Sequence, residues 1–376
     1  MKRLTVLSLM ALLSACFGWG EPERLGGDIL RVALAGPESV VEVRSDGPFQ
    51  ILDGSRPSST RHLRAERFRL VSGRIVTDRG ESSMGPFVLK TLNPSHVFIV
   101  GERTYHGLLK VVKKADQLFL ILEIPLEDYV AGVVACESGK SFVSEALKVQ
   151  AVISRTYAVH KRQGEPRDPG LFDVWADTRD QVFKGEQFIA ASHRRAVRDT
   201  AGVYLEYRRR PLPCYFHSTC GGHTQDAVKA AFLKEPMTPL GGVECSWCRH
   251  SPHWRWKTSM ALSEVSLEFT AETGGGITHV SVRDGSDGSP LAVLLMGERQ
   301  ATIPAYLFRR RMGPARIKSS TFSVQCSGHN LTVEGSGWGH GVGLCQWGSD
   351  GMAKAGHRYK DILMHYFPGC RLTTTR

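Results

Sequence analysis

A single glutamate, Glu137, closes the run LEDYVAGVVACE, where one amphipathic helical pattern stops and Ser138-Gly139 interrupts the chain before a second begins. A carboxyl group among apolar neighbours keeps its proton toward neutral pH and can act as a general acid, the group that protonates a glycosidic leaving oxygen. For a glutamate taken in isolation the plainer alternative is a solvated carboxylate at a helix end. Near the C-terminus, GSGWGHGVGLCQWG holds six glycines in fourteen residues, which lets the backbone approach a ligand closely. His340 and Gln346 are its groove candidates, and Trp338 and Trp347 present faces that stack on sugars or pack in a core. The run lacks a Lys-Ser or Lys-Thr ending and a βαβ setting, which sets a phosphate-binding loop aside. In YFHSTCGGHT, Tyr215, His217, Ser218 and Thr219 place polar donors at a strand end, suited to rim a groove for sugar hydroxyls, with Gly221-Gly222 as the turn.

A metal is the other chemistry within reach. Cys220-x2-His223 and Cys245-x2-Cys248 together have the spacing of a zinc site, although disulfides or buried thiols explain the same cysteines. The chemistry assigned to Glu137 requires no cofactor.

The compartment follows from the N-terminus. MKRLTVLSLMALLSAC has a basic Lys2-Arg3 pair, an apolar run from Leu4 to Leu13 and small residues before Cys16, the layout of an export signal. Leu13-Ser14-Ala15-Cys16 resembles a bacterial lipobox, which makes Cys16 the acylated first residue of an exported, membrane-anchored lipoprotein on the envelope side. A plain secretory signal with a chance cysteine is the alternative. No other run nears the roughly 20 apolar residues that cross a bilayer. With 376 residues and 41% hydrophobic content, the chain can bury a sizeable core. Its net charge of +11 suits an anionic partner such as a phospholipid surface or a carboxylate-bearing polymer. Export and the absence of a recognised binding motif argue against nucleic acid.

The elements that must position these residues are read from periodicity. After a signal (1–16) and a tether (17–28), residues 29–115 read as a β-rich region, with strand-like runs at Val40–Val43, Phe68–Val71 and His96–Val100. Residues 116–370 form a larger mixed unit. There Leu118–Leu122 is a buried strand, Pro125 opens a helix that runs to Cys136, and Val143–Tyr157 makes a second helix. Residues 162–185 read as loop and 186–200 as weakly helical. Val203–Tyr207 and Pro213–Phe216 read as a hairpin around Arg208–Arg210, strands dominate Met260–Val333, and Tyr359–Tyr366 is a short helix. The expected class is α+β.

LEDYVAGVVACE, EALKVQAVISRTYA, DQVFKG, YFHSTCGGHT, SPHWRW and GHGVGLCQWGSDGMA, in this order over about residues 29–370, resemble the stage II sporulation protein D family, SpoIID/LytB, of bacterial cell-wall proteins. The resemblance implies a SpoIID-type catalytic domain with a substrate groove. It further implies a lytic transglycosylase that cuts peptidoglycan between N-acetylmuramic acid and N-acetylglucosamine, favours strands stripped of stem peptides, and leaves 1,6-anhydro ends in cell-wall remodelling. It makes Glu137 the catalytic residue and Lys148 and Arg155 groove residues. These two stand seven apart on one helix face, where they would grip muramic carboxylates; without the family they are equally well read as solvated surface bases. Some clostridial relatives carry zinc around the stretch matching FDVWADTRDQVFKG, but here it holds Trp175, Ala176, Arg179 and Asp180 with no Cys or His, so that site is not carried over. The rival reading is a wall-binding modulator that stimulates a cell-wall amidase without cutting glycan.

The lipobox gives a direct expectation: Cys16→Ala should abolish labelling by a fatty-acid probe and release the protein from membranes. Equal labelling of variant and wild type would refute it.

Overall fold

The computed structural model describes residues 28–54, 56–57, 63–164, 166–284 and 290–374; the expected export signal and Cys16 lie outside the described residues. The architecture is α+β, with one large antiparallel-rich sheet, several small sheets and helices packed against them.

The large sheet is built by strict alternation. Val40–Asp53 alternates exposed and buried residues along its first half, so Val41, Val43 and Phe49 turn inward while charged residues stay wet. Gln117–Pro125, in contrast, is buried almost throughout, because it runs between Ile29–Glu38 on one side and Leu108–Lys114 on the other. The sheet therefore passes straight through the expected boundary at residues 115/116. A single core joins Leu30, Phe49 and Phe98 to Leu126, Tyr129 and Tyr157 across it.

Pro125 precedes the helix Leu126–Glu137, as its fixed φ favours. The helix ends where Ser138 turns extended (φ −83°, ψ 148°), leaving Glu137 as the last helical residue. The second helix, Ser144–Gly164, extends beyond the expected Tyr157 and is buried on nearly every face. It can be so because it lies between two cores: Leu147 and Ala158 face the sheet, whereas Val149, Val152 and Ile153 pack against the C-terminal segments.

Inside this helix the sequence expectation for Arg155 needs correction. Its side chain is fully buried, with Nε and Nη2 donating to the two carboxylate oxygens of Glu127 at 2.7 and 2.6 Å. Nη1 donates to the Val203 carbonyl at 2.9 Å and Nη2 to that of Val197 at 3.4 Å. Burial of a guanidinium demands that all its donors be met, and here they tie four chain segments together. Arg155 is a staple in the fold and does not line a groove. Lys148, one face along, is half-buried and pairs with Glu145 (2.8 Å) and Asp199 (3.5 Å), which joins its helix to the end of Ala191–Asp199.

The arginine turn also differs from expectation. Val203–Tyr207 pairs with Arg210–Pro211 and, more extensively, with Arg371–Thr374, and Pro213–Phe216 continues elsewhere. Phe216–His217 instead forms a short parallel pair with Leu344–Cys345. Residues Trp256–Gly335 build a third core of their own, with Phe269, Phe308 and Phe322 packed between two three-stranded sheets.

The glycine-rich run packs against protein. Gly337, Gly339, Gly341 and Gly343 all have positive φ, and a Cβ at each would fall within 2.1–2.7 Å of Thr219, His217, Gln225 and Tyr215 respectively. Alternate glycines thus let residues 337–343 lie directly on residues 215–225, an arrangement reinforced by mutual hydrogen bonds between Thr219 and Trp338 (3.0 and 2.8 Å).

Two stability outcomes follow. Arg155→Met should cost about 2 kcal/mol by removing the guanidinium donors of the Val203 carbonyl and of the partly exposed Glu127, with a matching fall in denaturation midpoint. Gly343→Ala should cost roughly 2–4 kcal/mol, since a methyl meets the Tyr215 carbonyl oxygen at 2.1 Å in a left-handed backbone. Wild-type unfolding curves for either variant would overturn these assignments.

Candidate active site

Glu137 is half-buried at the C-terminal end of its helix. Gly132, one turn and a half earlier, explains the company it keeps: a Cβ there would fall 2.2 Å from the Phe183 ring, so only glycine lets Phe183 lie against the helix and on Tyr129. That docking brings the next backbone N–H, of Val182, to donate to Glu137 Oε1 at 2.7 Å. Among the described residues, Oε2 has no hydrogen-bond partner.

Four effects then set the proton affinity of Glu137. Burial raises its pKa above the ordinary glutamate value; the Val182 hydrogen bond and the charge of Lys184 work the other way, and burial prevails. The negative end of the helix dipole favours the neutral acid as well. The result is a carboxyl group that holds a proton above the usual carboxylate range.

Beside it lies a cleft of about 300 Å³ lined by Glu137, Ser138, Gly139, Phe142, Ser218, His253, Trp338, Gln346 and Trp347. Glu137 is the sole carboxyl group in that lining. Asp350, carried by the helix Gln346–Lys354, is fully buried and already engaged by Val143 N–H, His250 and Lys354. The cleft walls are aromatic: Trp347 meets Phe142 edge-on at 5.6 Å, and Trp338 meets His253 at 4.1 Å. Ser138 Oγ and His253 Nδ1 are buried without a hydrogen-bond partner, two polar atoms available to a ligand's hydroxyls. A wider hollow of about 700 Å³ lies nearby, but its Glu334 is ion-paired with Lys257 at 2.7 Å and Glu137 is absent from it.

The residues read from sequence divide sharply. Ser218, Gln346 and both tryptophans reach the cleft. Gln346 Nε2 donates to the Glu137 carbonyl (2.9 Å) and to Gln150 Oε1 (3.1 Å), which fastens the end of the acid-bearing helix to a segment 209 residues away. Tyr215, His217, Thr219 and His340 do not line it. Thr219 is buried, with Oγ1 bonded to Ser251 Oγ at 2.6 Å, and Tyr215 packs edge-on against Phe232. His217 Nδ1 donates to the Val342 carbonyl, and Val342 N–H donates to His340 Nδ1, each at 3.1 Å. Burial pushes His217 down to about 4 and His340 down to about 3, so both imidazoles are neutral near pH 7 and neither supplies a cation for a carboxylate. These four belong to the packing beneath the cleft because glycines at alternate positions drew the two loops into contact.

His253, Ser138 and Phe142 were not singled out from sequence. His253 stands inside SPHWRW, Ser138 enters the sequence reading only as part of the break after the acid, and Phe142 carries no sequence signal.

The zinc expectation also changes its members. His223 is exposed, and its Nδ1 turns to the Thr224 carbonyl at 2.6 Å. Cys345, from the distant glycine-rich run, takes the fourth place beside Cys220, Cys245 and Cys248.

Residues 114–207, which carry Glu137, Gly132 and Val182, match the SpoIID family model, described as stage II sporulation protein. The chain is 28% identical over 347 residues to an uncharacterised protein of Brachyspira hyodysenteriae, covering 91% of this chain and 92% of that one. It is 28% identical over 278 residues to stage II sporulation protein D of Bacillus subtilis, covering 70% of this chain and 78% of the relative. An amidase enhancer of Bacillus subtilis is 25% identical over 291 residues, with 65% of this chain and 40% of the relative covered. The segment that carries the acid and its supporting backbone donor thus matches the SpoIID family model, and the chain as a whole is similar to cell-wall-related proteins of that family.

Proposed function

We propose that this protein is a peptidoglycan lytic transglycosylase, with Glu137 as its acid and base. The observation that carries the reading is a lone carboxyl group of raised pKa in an aromatic-walled cleft. A glycosidase that uses water or a covalent intermediate wants two carboxylates on either side of the bond. A transglycosylase manages with one. Glu137 Oε2 delivers its proton to the glycosidic oxygen as the bond to C1 of the muramic sugar breaks. The resulting carboxylate, stabilised by the Val182 N–H, then takes the proton from the same sugar's 6-hydroxyl as that oxygen closes on C1. The product is a 1,6-anhydro end, and Glu137 regains its proton.

Trp338 and Trp347 offer faces for the sugar rings, while Ser138, Ser218 and His253 offer partners for hydroxyls. A preference for stripped strands rests on the family resemblance and not on Lys148 or Arg155, whose charges are already met by carboxylates. In the same proposal the protein is exported and held to the membrane by a lipid on Cys16. The similarity to an amidase enhancer supports a second reading, in which the cleft binds glycan and the protein stimulates a cell-wall amidase.

Muropeptide mass spectrometry separates the two. Wild-type protein should release anhydromuropeptides from amidase-treated sacculi, and Glu137→Gln should reduce this by about 100-fold or more while still binding glycan. Amidase stimulation without anhydro products from the wild type would establish the modulator instead.

The pH profile gives an independent check. Because the acid must start protonated, kcat/KM should fall as pH rises through the Glu137 pKa. Since that pKa is raised, the descending limb should lie above the ordinary carboxylate range. A limb at or below that range would contradict Glu137 as the starting acid.

A further inference from the structure

Four cysteines meet beneath the cleft floor. The sulfurs of Cys220, Cys245, Cys248 and Cys345 all lie within 4.8 Å of one another, and each residue is at most 5% exposed. Tetrahedral zinc with four thiolates at ~2.3 Å sets its sulfurs about 3.8 Å apart, and Cys220 and Cys248 stand at 3.5 Å. We propose that these four residues bind one structural Zn²⁺ ion that fastens together the loops carrying the cleft.

The surroundings of the sulfurs support this independently of their spacing. Cys345 Sγ accepts from Cys220 N–H at 3.2 Å and from Gly348 N–H at 3.3 Å, the latter as the N-cap of the helix Gln346–Lys354. Cys220 Sγ accepts from Gly222 N–H at 3.4 Å, and Tyr366 Oη lies 3.0 Å from Cys245 Sγ. Donors gathered around sulfur are what thiolate ligands require, since they spread the charge of a ZnS4 centre. Gly348 is part of the same fit: a Cβ there would fall 2.6 Å from Cys245 Sγ and 3.2 Å from Cys345 Sγ.

Binding involves no redox change. Zn²⁺ replaces the four thiol protons, which leave to solvent, and forms four Zn–S bonds. A closed site of four protein ligands has no position for water, so the role is structural. Its reach into the cleft is short. Cys220 lies two residues from Ser218, Cys248 five from His253, and Cys345 directly before Gln346 and Trp347, all of which line the cleft. One ion therefore sets the relative position of three loops whose own helical and strand structure is slight.

The reaction proposed for Glu137 does not enter this inference, and its test reads metal and thiols directly. Full-length mature protein, produced with zinc in the medium and purified without reductant or chelator, should contain one zinc per chain by elemental analysis. A mercurial reagent should release that zinc as it titrates the four thiols, and Co²⁺ exchanged into the site should show the intense visible bands of tetrahedral thiolate coordination. Cys248→Ser and Cys345→Ser should lose the zinc, whereas Cys326→Ser and His223→Ala should keep it. Wild-type protein without zinc whose intact mass and peptide map show two disulfides among the four would overturn the proposal, whatever the behaviour of the variants. Iron in place of zinc would overturn the choice of metal, and loss of zinc in His223→Ala would overturn the ligand set.

Discussion

The contact on which the site depends is the seating of residues 337–343 on residues 215–225. Glycine at every second position removes the side chains that would hold the two backbones apart, and each of these four has a positive φ that other residues adopt only with strain. From this contact come the parallel pairing of Phe216–His217 with Leu344–Cys345, the position of Trp338, and the approach of Cys345 to the other cysteines. The acid-bearing helix would otherwise have no opposite wall.

The opposing wall also holds the acid in place. Gln346 reaches the Glu137 carbonyl, so the helix end that carries the Glu137 carboxyl group is tied to the segment that carries Trp347. On the other side, Phe183 uses the space left by Gly132 to bring a backbone donor to the carboxylate. A carboxyl group gripped at one oxygen and open at the other can keep its proton and still present it. Burial raises its pKa, and one hydrogen bond keeps the ionised form from being prohibitively costly.

Charge in this protein is used for cohesion near the site more than for attraction. Arg155 spends its donors on Glu127 and main-chain carbonyls, and Lys148 joins two helices. The neutral imidazoles of His217 and His340 continue the pattern. What the cleft offers a ligand is aromatic surface and a few unpaired polar atoms, a chemistry suited to sugar rings.

Much of this was legible in the sequence because it depends on short-range order. The helical period of LEDYVAGVVACE, the break at Ser138-Gly139 and the proline before Leu126 placed Glu137 at a helix end without any knowledge of the fold. Periodicity could not tell that Arg155 faces inward. A helix with a second core behind it buries the side that would ordinarily be wet, and that second core is assembled from segments that reach as far along the chain as Phe367. Cys-x2-Cys spacing likewise marked Cys245 and Cys248, but the choice between nearby His223 and distant Cys345 belongs to the loop docking alone. Local sequence determined which residues could do chemistry, since propensity and spacing act within a few turns. The tertiary structure decided which of them meet, because burial and ligand geometry depend on neighbours that the sequence keeps far apart.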